Sequence, residues 1–375
     1  MLPLKRLRAS LPPETARSVA QSTLTLAQFV SCGELELVEK LDLPLDEQRH
    51  LAKAVVVRAA PPVYTATQLL SAPVTGATSL STGLAQLDAH LGGGLPVRAV
   101  SELVGPAGAG KSELCHTLAA RALVDGRARG ARVHYVDTDY SFSAVRLVQL
   151  IVHALLQQGH ATSDPMDEAK QLADRMTVWQ ASSWALLTTC LGEQLEAALL
   201  GDPMPAALIV IDAIGAVVQR HFDGSDVPRR QQAVGAQAAR LKYFADEYGV
   251  GVVCVNQVVG GGSGYAGGGG GGSGAFGTAG RLDGRGQVGC VLGRDDTQLS
   301  AYMGTAWAHY VNARLVLHHA PTLGAAPPPL PFPPPPGSLG PVAATPPMRL
   351  TVAKAPMCAE ATFEYRVCEA GLLAP

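Results

Sequence analysis

Residues 99–112 read AVSELVGPAGAGKS, and this stretch decides the fold. Its first six residues are rich in β-formers and predict a strand over 99–104. The strand runs straight into Gly105-Pro106-Ala107-Gly108-Ala109-Gly110-Lys111-Ser112, which fits G-x-x-x-x-G-K-[ST] without a mismatch. A helix is expected near 111–124. The motif needs this strand-to-helix context, because its glycines let backbone N–H groups curl around phosphates and the helix presents its positive end to them. Gly105 to Gly110 would form the cradle, Lys111 would reach the outer phosphates, and Ser112 would hold Mg²⁺. ATP with Mg²⁺ is the expected ligand.

Working outward, strand and helix alternate. Strands are predicted at 132–137 (RVHYVD), 176–181 (MTVWQA), 206–212 (AALIVID) and 250–256 (VGVVCVN), with helices near 142–158, 184–200 and 228–247. Near-continuous apolar strands separated by helices indicate a buried, mostly parallel sheet covered on both faces, an α/β fold. Three later segments, near 310–318, 348–354 and 361–368, read as strands without helices between them and predict an antiparallel extension.

Three of these strands end in residues suited to nucleotide chemistry. Asp212 closes AALIVID, where an acid can hold the water shell of a metal ion. Asn256-Gln257 closes VGVVCVNQ; Gln257 can orient a water or sense a γ-phosphate, and a polar strand terminus reads the same way. The stretch 133–147, VHYVDTDYSFSAVRL, carries Asp137 and Asp139 at its strand end. Residues two apart on an extended chain face the same side, and two acids there repel unless a cation or water lies before them. Asp139 is placed to aim a water at a γ-phosphate, with Asp137 holding the strand end or the magnesium shell and Lys111 nearby.

Composition bounds the rest. Hydrophobic residues make up 47% of the 375 and charged residues 16%, enough for one large core and a small satellite. Lys and Arg number 29 against 31 Asp and Glu, so a globally basic nucleic-acid binder is excluded while a local basic patch is not. Seven scattered cysteines without a C-x-x-C pair argue for a reducing compartment and against a zinc site. No apolar run reaches membrane-spanning length; the longest, AALIVIDAIGAVV, is broken by Asp212. The start MLPLKRLRAS lacks the apolar core of a secretory signal, and its KRLR is a weak nuclear address or a solvated basic start.

Residues 1–60 are expected to form a small helical domain, with amphipathic runs over 13–58 broken at Ser22-Thr23 and Leu43-Pro44. Residues 61–80 read as a linker, and 81–375 as the nucleotide-binding core. Two tracts interrupt that core: a Gly/Ser run over 260–280 and a Pro-rich run over 321–347. Neither composition can bury enough apolar surface to order itself.

The order phosphate loop, D-T-D, LIVID, VNQV and then GTAWAHYVNARLVL resembles the RecA-like strand-exchange recombinases of eukaryotes. STGLAQLDAHLGGGL looks like the entry to their ATPase core, and the helical start like their helix-hairpin-helix domain. FSAVRLVQL, IDAIGAVVQRHFD, LKYFADEYGV and TAWAHYVNARL resemble the B-type recombinase paralogues most closely. The resemblance covers nearly the whole chain outside the two tracts. It implies that Lys111 and Ser112 bind nucleotide, that Asp212 lies on the metal side, that Gln257 senses the γ-phosphate, and that Arg146 packs on adenine. It places Arg220, Arg229 and Arg230 in the first DNA loop and the helix start after it, with Arg281, Arg285 and Arg294 beyond the glycine tract.

Three departures stand out. The family's recombinases carry Glu where this chain has Asp139, so weak hydrolysis is expected. Their Phe-x-x-Ala self-association motif is met only by Val63-Tyr64-Thr65-Ala66. The second DNA loop is replaced by the glycine tract, which has no charge until Arg281. The resemblance, with these departures, implies a nuclear DNA-repair paralogue that binds single-stranded or branched DNA, and a weak DNA-dependent ATPase. It would act in a heteromeric complex with other recombinase paralogues, the C-type nearest, to support recombinase loading on single-stranded DNA. The alternatives are a non-hydrolysing adaptor and another RecA-fold ATPase.

Overall fold

A computed structural model describes residues 11–22, 29, 32–59, 65–71, 79–159, 164–222, 227–260, 299–301, 303–319 and 347–374. The chain divides into two compact units, Met1–Thr75 and Gly76–Pro375.

The first unit is helical among its described residues, with helices Pro13–Gln21, Glu34–Leu41, Leu45–Ala59 and Ala66–Ser71. The single helical run expected through Cys32 is interrupted, because Gly33 caps Glu34–Leu41 with an extended backbone. Asp42 ends that helix in a left-handed conformation at φ 49°, one residue before the break at Leu43-Pro44. Val19, Phe29, Leu37, Leu41, Leu43, Leu51 and Val55 make its small core. Helix Ala66–Ser71 lies inside the stretch read from sequence as linker.

The second unit is built on one large sheet. Its strands are β3 (Val100–Gly105), β4 (Arg132–Asp137), β5 (Met176–Gln180), β6 (Ala206–Asp212), β7 (Gly251–Gly260), β8 (Leu299–Ala301), β9 (Ala313–His319), β10 (Met348–Lys354), β11 (Ala361–Cys368) and β12 (Gly371–Leu373). A separate short pair, β1 (Ser79–Leu80) and β2 (Leu95–Pro96), precedes it. The order across the sheet is β12-β11-β10-β9-β3-β7-β6-β4-β5, with β8 paired to the far end of β7. From β9 to β5 every neighbouring pair is parallel, and β9 to β12 form the antiparallel extension.

The strands read as continuous apolar runs because both faces are covered. Val133 and Tyr135 of β4, Leu208 and Val210 of β6, and Val253 and Val255 of β7 face one layer, with Leu114, Leu118, Leu150 and Ile151. The alternate residues Val136, Ile209, Ile211, Val252 and Cys254 face the other, with Leu191, Leu195, Leu241, Phe244 and Trp307. That is the two-residue period of a pleated strand applied to two buried faces at once.

Two local differences from the sequence reading stand out. The helix expected over 184–200 is split into Trp184–Thr189 and Leu195–Gly201 by a wider π turn at Cys190–Gln194. The strand expected near 310 begins at Ala313, because Gly304–Tyr310 is a helix that seats Trp307 in the core. The Gly/Ser tract beyond Gly260 and the Pro-rich tract up to residue 346 lie outside the described residues, as do Arg281, Arg285 and Arg294.

Candidate functional site

Parallel strands deliver their C-terminal ends to one edge, where open α/β sheets bind ligands. The register sets Gly105 of β3 opposite Gln257 of β7, and Asp137 of β4 opposite Asp212 of β6. All four sequence-predicted strand-end positions therefore gather on one rim of the sheet.

The phosphate loop turns from β3 into the helix Lys111–Asp125. Ala107 and Gly108 are exposed while Ala109 is buried, so the loop bulges outward over a fixed base. Gly108 sits at φ 76°, which L side chains rarely adopt, and nothing lies within 4 Å of where its Cβ would be. A concave run of backbone N–H groups at a helix N-terminus, with open space before it, fits a polyphosphate. The Lys111 ammonium is folded over the loop, donating to Gly105 O at 2.9 Å and Pro106 O at 2.7 Å. Burial pushes its pKa down, and the Asp212 carboxylate pulls it back up. From the far side Tyr365 of β11 donates its hydroxyl to Ala109 O at 2.7 Å, a buried hydrogen bond that holds the base of the loop.

Asp212 is 4% exposed and accepts the Tyr135 hydroxyl at 2.7 Å. Burial pushes the Tyr135 pKa well above its ordinary value, so the phenol stays a donor. The next residues interlock: Thr138 N–H donates to Asp212 O at 2.8 Å, and Ala213 N–H donates to Thr138 Oγ1 at 2.7 Å. No cluster of three or more His, Cys, Asp or Glu that could hold a metal occurs among the described residues. Mg²⁺ keeps several waters and takes one or two protein oxygens beside substrate phosphates, and the Ser112 hydroxyl and the Asp212 carboxylate are the oxygens at this rim that could hold it.

The two acids of VDTDYSF separate. Asp137 is 2% exposed and accepts three backbone N–H groups, from Asp139 at 3.2 Å, Ser141 at 3.2 Å and Phe142 at 3.1 Å. Of its two expected duties it performs the first, holding the strand end. Asp139 leaves the strand in a bend, so the two carboxylates do not share a strand face. Its cationic partner is Arg220, at 2.7 Å, from the helix Ile214–His221 that follows β6.

Gln257 is partly exposed at the rim, its N–H donating to Asn256 Oδ1 at 2.9 Å. Beneath it Asn256 Nδ2 donates to Glu102 at 2.8 Å. Arg146 lies on the helix Ala144–Gln157. Its guanidinium pairs with Glu113 and donates to Cys368 O and Glu369 O, each at 2.6 Å, tying that helix to the phosphate-loop helix and to the end of β11. Its in-plane hydrogens are thus engaged, which fixes the plane of the guanidinium. Arg229 and Arg230 stand in the first turn of the helix Val227–Glu247, Arg229 exposed and Arg230 half-buried, beyond residues 223–226, which lie outside the described set.

Two participants escaped the sequence reading. His116 is 4% exposed one helical turn behind Ser112; its Nδ1–H donates to Ser112 O at 2.7 Å and its Nε2 accepts Ser143 N–H at 3.4 Å. It stacks on Phe142 with ring centres 5.2 Å apart, and so ties the phosphate-loop helix to the bend that carries Asp139. Its signal was the i,i+4 spacing from Ser112, which any helix offers. Gly215 is the second: a Cβ there would lie 2.3 Å from Asn256 Oδ1, so only glycine lets the helix after Asp212 approach the end of β7.

A family model described as Rad51 matches residues 75–270. The chain is 29% identical over 340 residues to the Mus musculus protein named DNA repair protein RAD51 homolog 2, spanning 84% of this chain and 88% of that one. It is 28% identical over 305 residues to the Arabidopsis thaliana protein of the same name, spanning 80% and 77%. A shorter match, 32% over 181 residues, is to DNA repair protein XRCC3 of Bos taurus, spanning 48% of this chain and 52% of that one.

Proposed function

This chain belongs to the Rad51 family, and on that premise we propose that it is an ATP-binding, weakly hydrolysing DNA-repair recombinase paralogue of the B type. It works in the nucleus, in a heteromeric complex with other paralogues, the C-type as nearest neighbour, and supports recombinase loading on single-stranded DNA. The observation that carries the reading is the gathering of Gly105–Ser112, Asp212, Asp139 and Gln257 on one rim of the sheet. Likeness to proteins named RAD51 homolog 2 over most of the chain supports the branch.

Bound ATP with Mg²⁺ supplies the phosphoanhydride that is cleaved and the cation that screens its charge. Lys111 and the loop N–H groups hold the phosphates. The Ser112 hydroxyl and Asp212, its carboxylate oriented by the Tyr135 hydroxyl, would hold the metal. Asp139 orients a water and takes its proton, and Gln257 reports the γ-phosphate to the strand that leads out of the core. Asp139 is shorter than Glu by one methylene and is already drawn to Arg220, and both features slow the step. Misplacement of a catalytic group by about 1 Å costs on the order of a hundredfold in rate.

The test is purification from the native source with identification of the partners, followed by ATP turnover with and without single-stranded DNA. Recombinase paralogues as partners and slow, DNA-stimulated turnover are expected. ATP bound without any turnover would make the protein a structural adaptor, and partners unrelated to recombination would overturn the reading.

A further inference from the structure

Among the described residues Arg220 donates three hydrogen bonds. Nη1 donates to Asp139 Oδ1 at 2.7 Å, and Nη2 donates to Thr138 O at 3.2 Å and Ser182 O at 3.3 Å. One guanidinium thus joins the bend after β4, the loop after β5 and the helix after β6. Its neighbours are fixed without it. Asp137 is held by three N–H groups, and Thr138 is locked to Asp212 and Ala213. Asp139 is therefore the acid whose position Arg220 governs.

The pair is not buried. The Arg220 side chain is 51% exposed and that of Asp139 34% exposed. Exposed ion pairs are weak and screened by salt, so Arg220 can exchange one anion for another at small cost. A nucleic-acid phosphate is a strong competitor, because its contact with a cation also releases condensed counterions.

We propose that Arg220 is a positioning residue that holds Asp139 in an idle place, and that a single-stranded DNA phosphate competes with Asp139 for it and thereby frees the acid. The inference rests on the functional reading above. It turns a DNA contact and a catalytic acid into alternative ligands of one side chain. Linkage makes the competition reciprocal: whatever releases Arg220 from Asp139 must favour DNA by the same factor.

The test is binding of a fluorescent single-stranded oligonucleotide to the full chain with its co-purifying partners, across a salt series. Variants are Asp139→Asn, Arg220→Gln and the double substitution. Asp139→Asn, which frees the guanidinium, should bind DNA roughly 3- to 10-fold tighter, with a salt slope steeper by about 0.7 for one further phosphate contact. Arg220→Gln should bind more weakly, and adding Asp139→Asn to it should change nothing. A charge effect acting at a distance would persist in the Arg220→Gln background, and that result overturns the proposal. Unchanged affinity in Asp139→Asn also overturns it while leaving the functional reading intact. Absence of oligonucleotide binding by the wild-type complex overturns both. Single-turnover hydrolysis adds a second readout: Arg220→Gln should raise turnover without DNA several-fold and flatten its response to DNA, with ATP affinity unchanged.

Discussion

Arg314 on β9 donates its Nε–H to Glu102 on β3 at 2.6 Å, with the two side chains 3% and 0% exposed. Glu102 also accepts the Trp307 indole N–H and the Asn256 amide, each at 2.8 Å. One buried carboxylate therefore joins the strand that feeds the phosphate loop, the strand that carries Gln257, and the helix Gly304–Tyr310. Removing one partner of a buried pair leaves the other charged and unsolvated. Glu102→Gln should destabilise the core by about 3–5 kcal/mol, read as a lower urea midpoint. A midpoint within error of wild type would mean the carboxylate carries no net load.

Lys111→Ala should abolish ATP binding in calorimetry and weaken pairing with the partner paralogue in pull-downs. The motive is the loop geometry, in which Lys111 Nζ already lies over the Gly105 and Pro106 carbonyls. Retained nucleotide affinity would remove the loop from the site.

Tyr365→Phe deletes the hydroxyl that holds Ala109 O and leaves the ring in place. A single hydrogen bond contributes about 0.5–1.5 kcal/mol net. ATP affinity should therefore fall roughly 2- to 13-fold if the loop must be held to bind. An equal affinity in titration would show the loop to be rigid without it.

His134 gives a pH dependence. Burial pushes its imidazole from the ordinary 6.5 down to about 4, Asp202 opposing the shift and Arg132 adding to it. Above the unfolded value both states are neutral and the residue contributes nothing to the slope. Below it the unfolded chain binds a proton that the fold refuses, so stability falls as pH drops from 6.5 towards 4. The full loss is roughly 3 kcal/mol, at about 1.36 kcal/mol per pH unit. His134→Leu should flatten that limb of the urea midpoint against pH, and parallel curves would refute the assignment.

The antiparallel register sets Gly260 opposite Leu299, the residues that flank 261–298, and His319 opposite Met348, the residues that flank 320–347. A two-residue Asn-Gly turn can close such a hairpin. Replacing residues 261–298 by Asn-Gly should leave cooperative melting and ATP binding intact. Loss of either would show that the excised segment belongs to the core.

What could be read from the sequence was local. AALIVID and RVHYVD show their strand boundaries to the residue, because a run of β-formers closed by an acid is a signal contained within the element itself. The phosphate loop was legible for the same reason. The partners of Asp139 and Asp137 were not. Arg220 lies 81 residues from Asp139, and the register of β4 beside β6 brings them together, which no spacing along the chain encodes. The strand ends at Asp137, and the left-handed Tyr140, at φ 55°, lies in the bend that carries Asp139 away from it. Alternation of acids was thus a misleading cue at a point where the strand had already ended.

The Tyr365 hydroxyl on Ala109 O also has a meaning in time. The two residues are 256 apart along the chain. Ribosomes add about 5–20 residues per second, and domains tend to fold from the N-terminal side during synthesis. The phosphate loop accordingly emerges roughly 13 to 51 seconds before the tyrosine that holds its base. During that interval the strand, the glycines and Lys111 are all present and the site is unfinished. The nucleotide then meets a weaker site on the growing chain than on the finished fold. Ribosome-bound chains stalled ahead of β11 should fail to retain on immobilised ATP, and retention of those chains would place nucleotide binding earlier in the life of the protein.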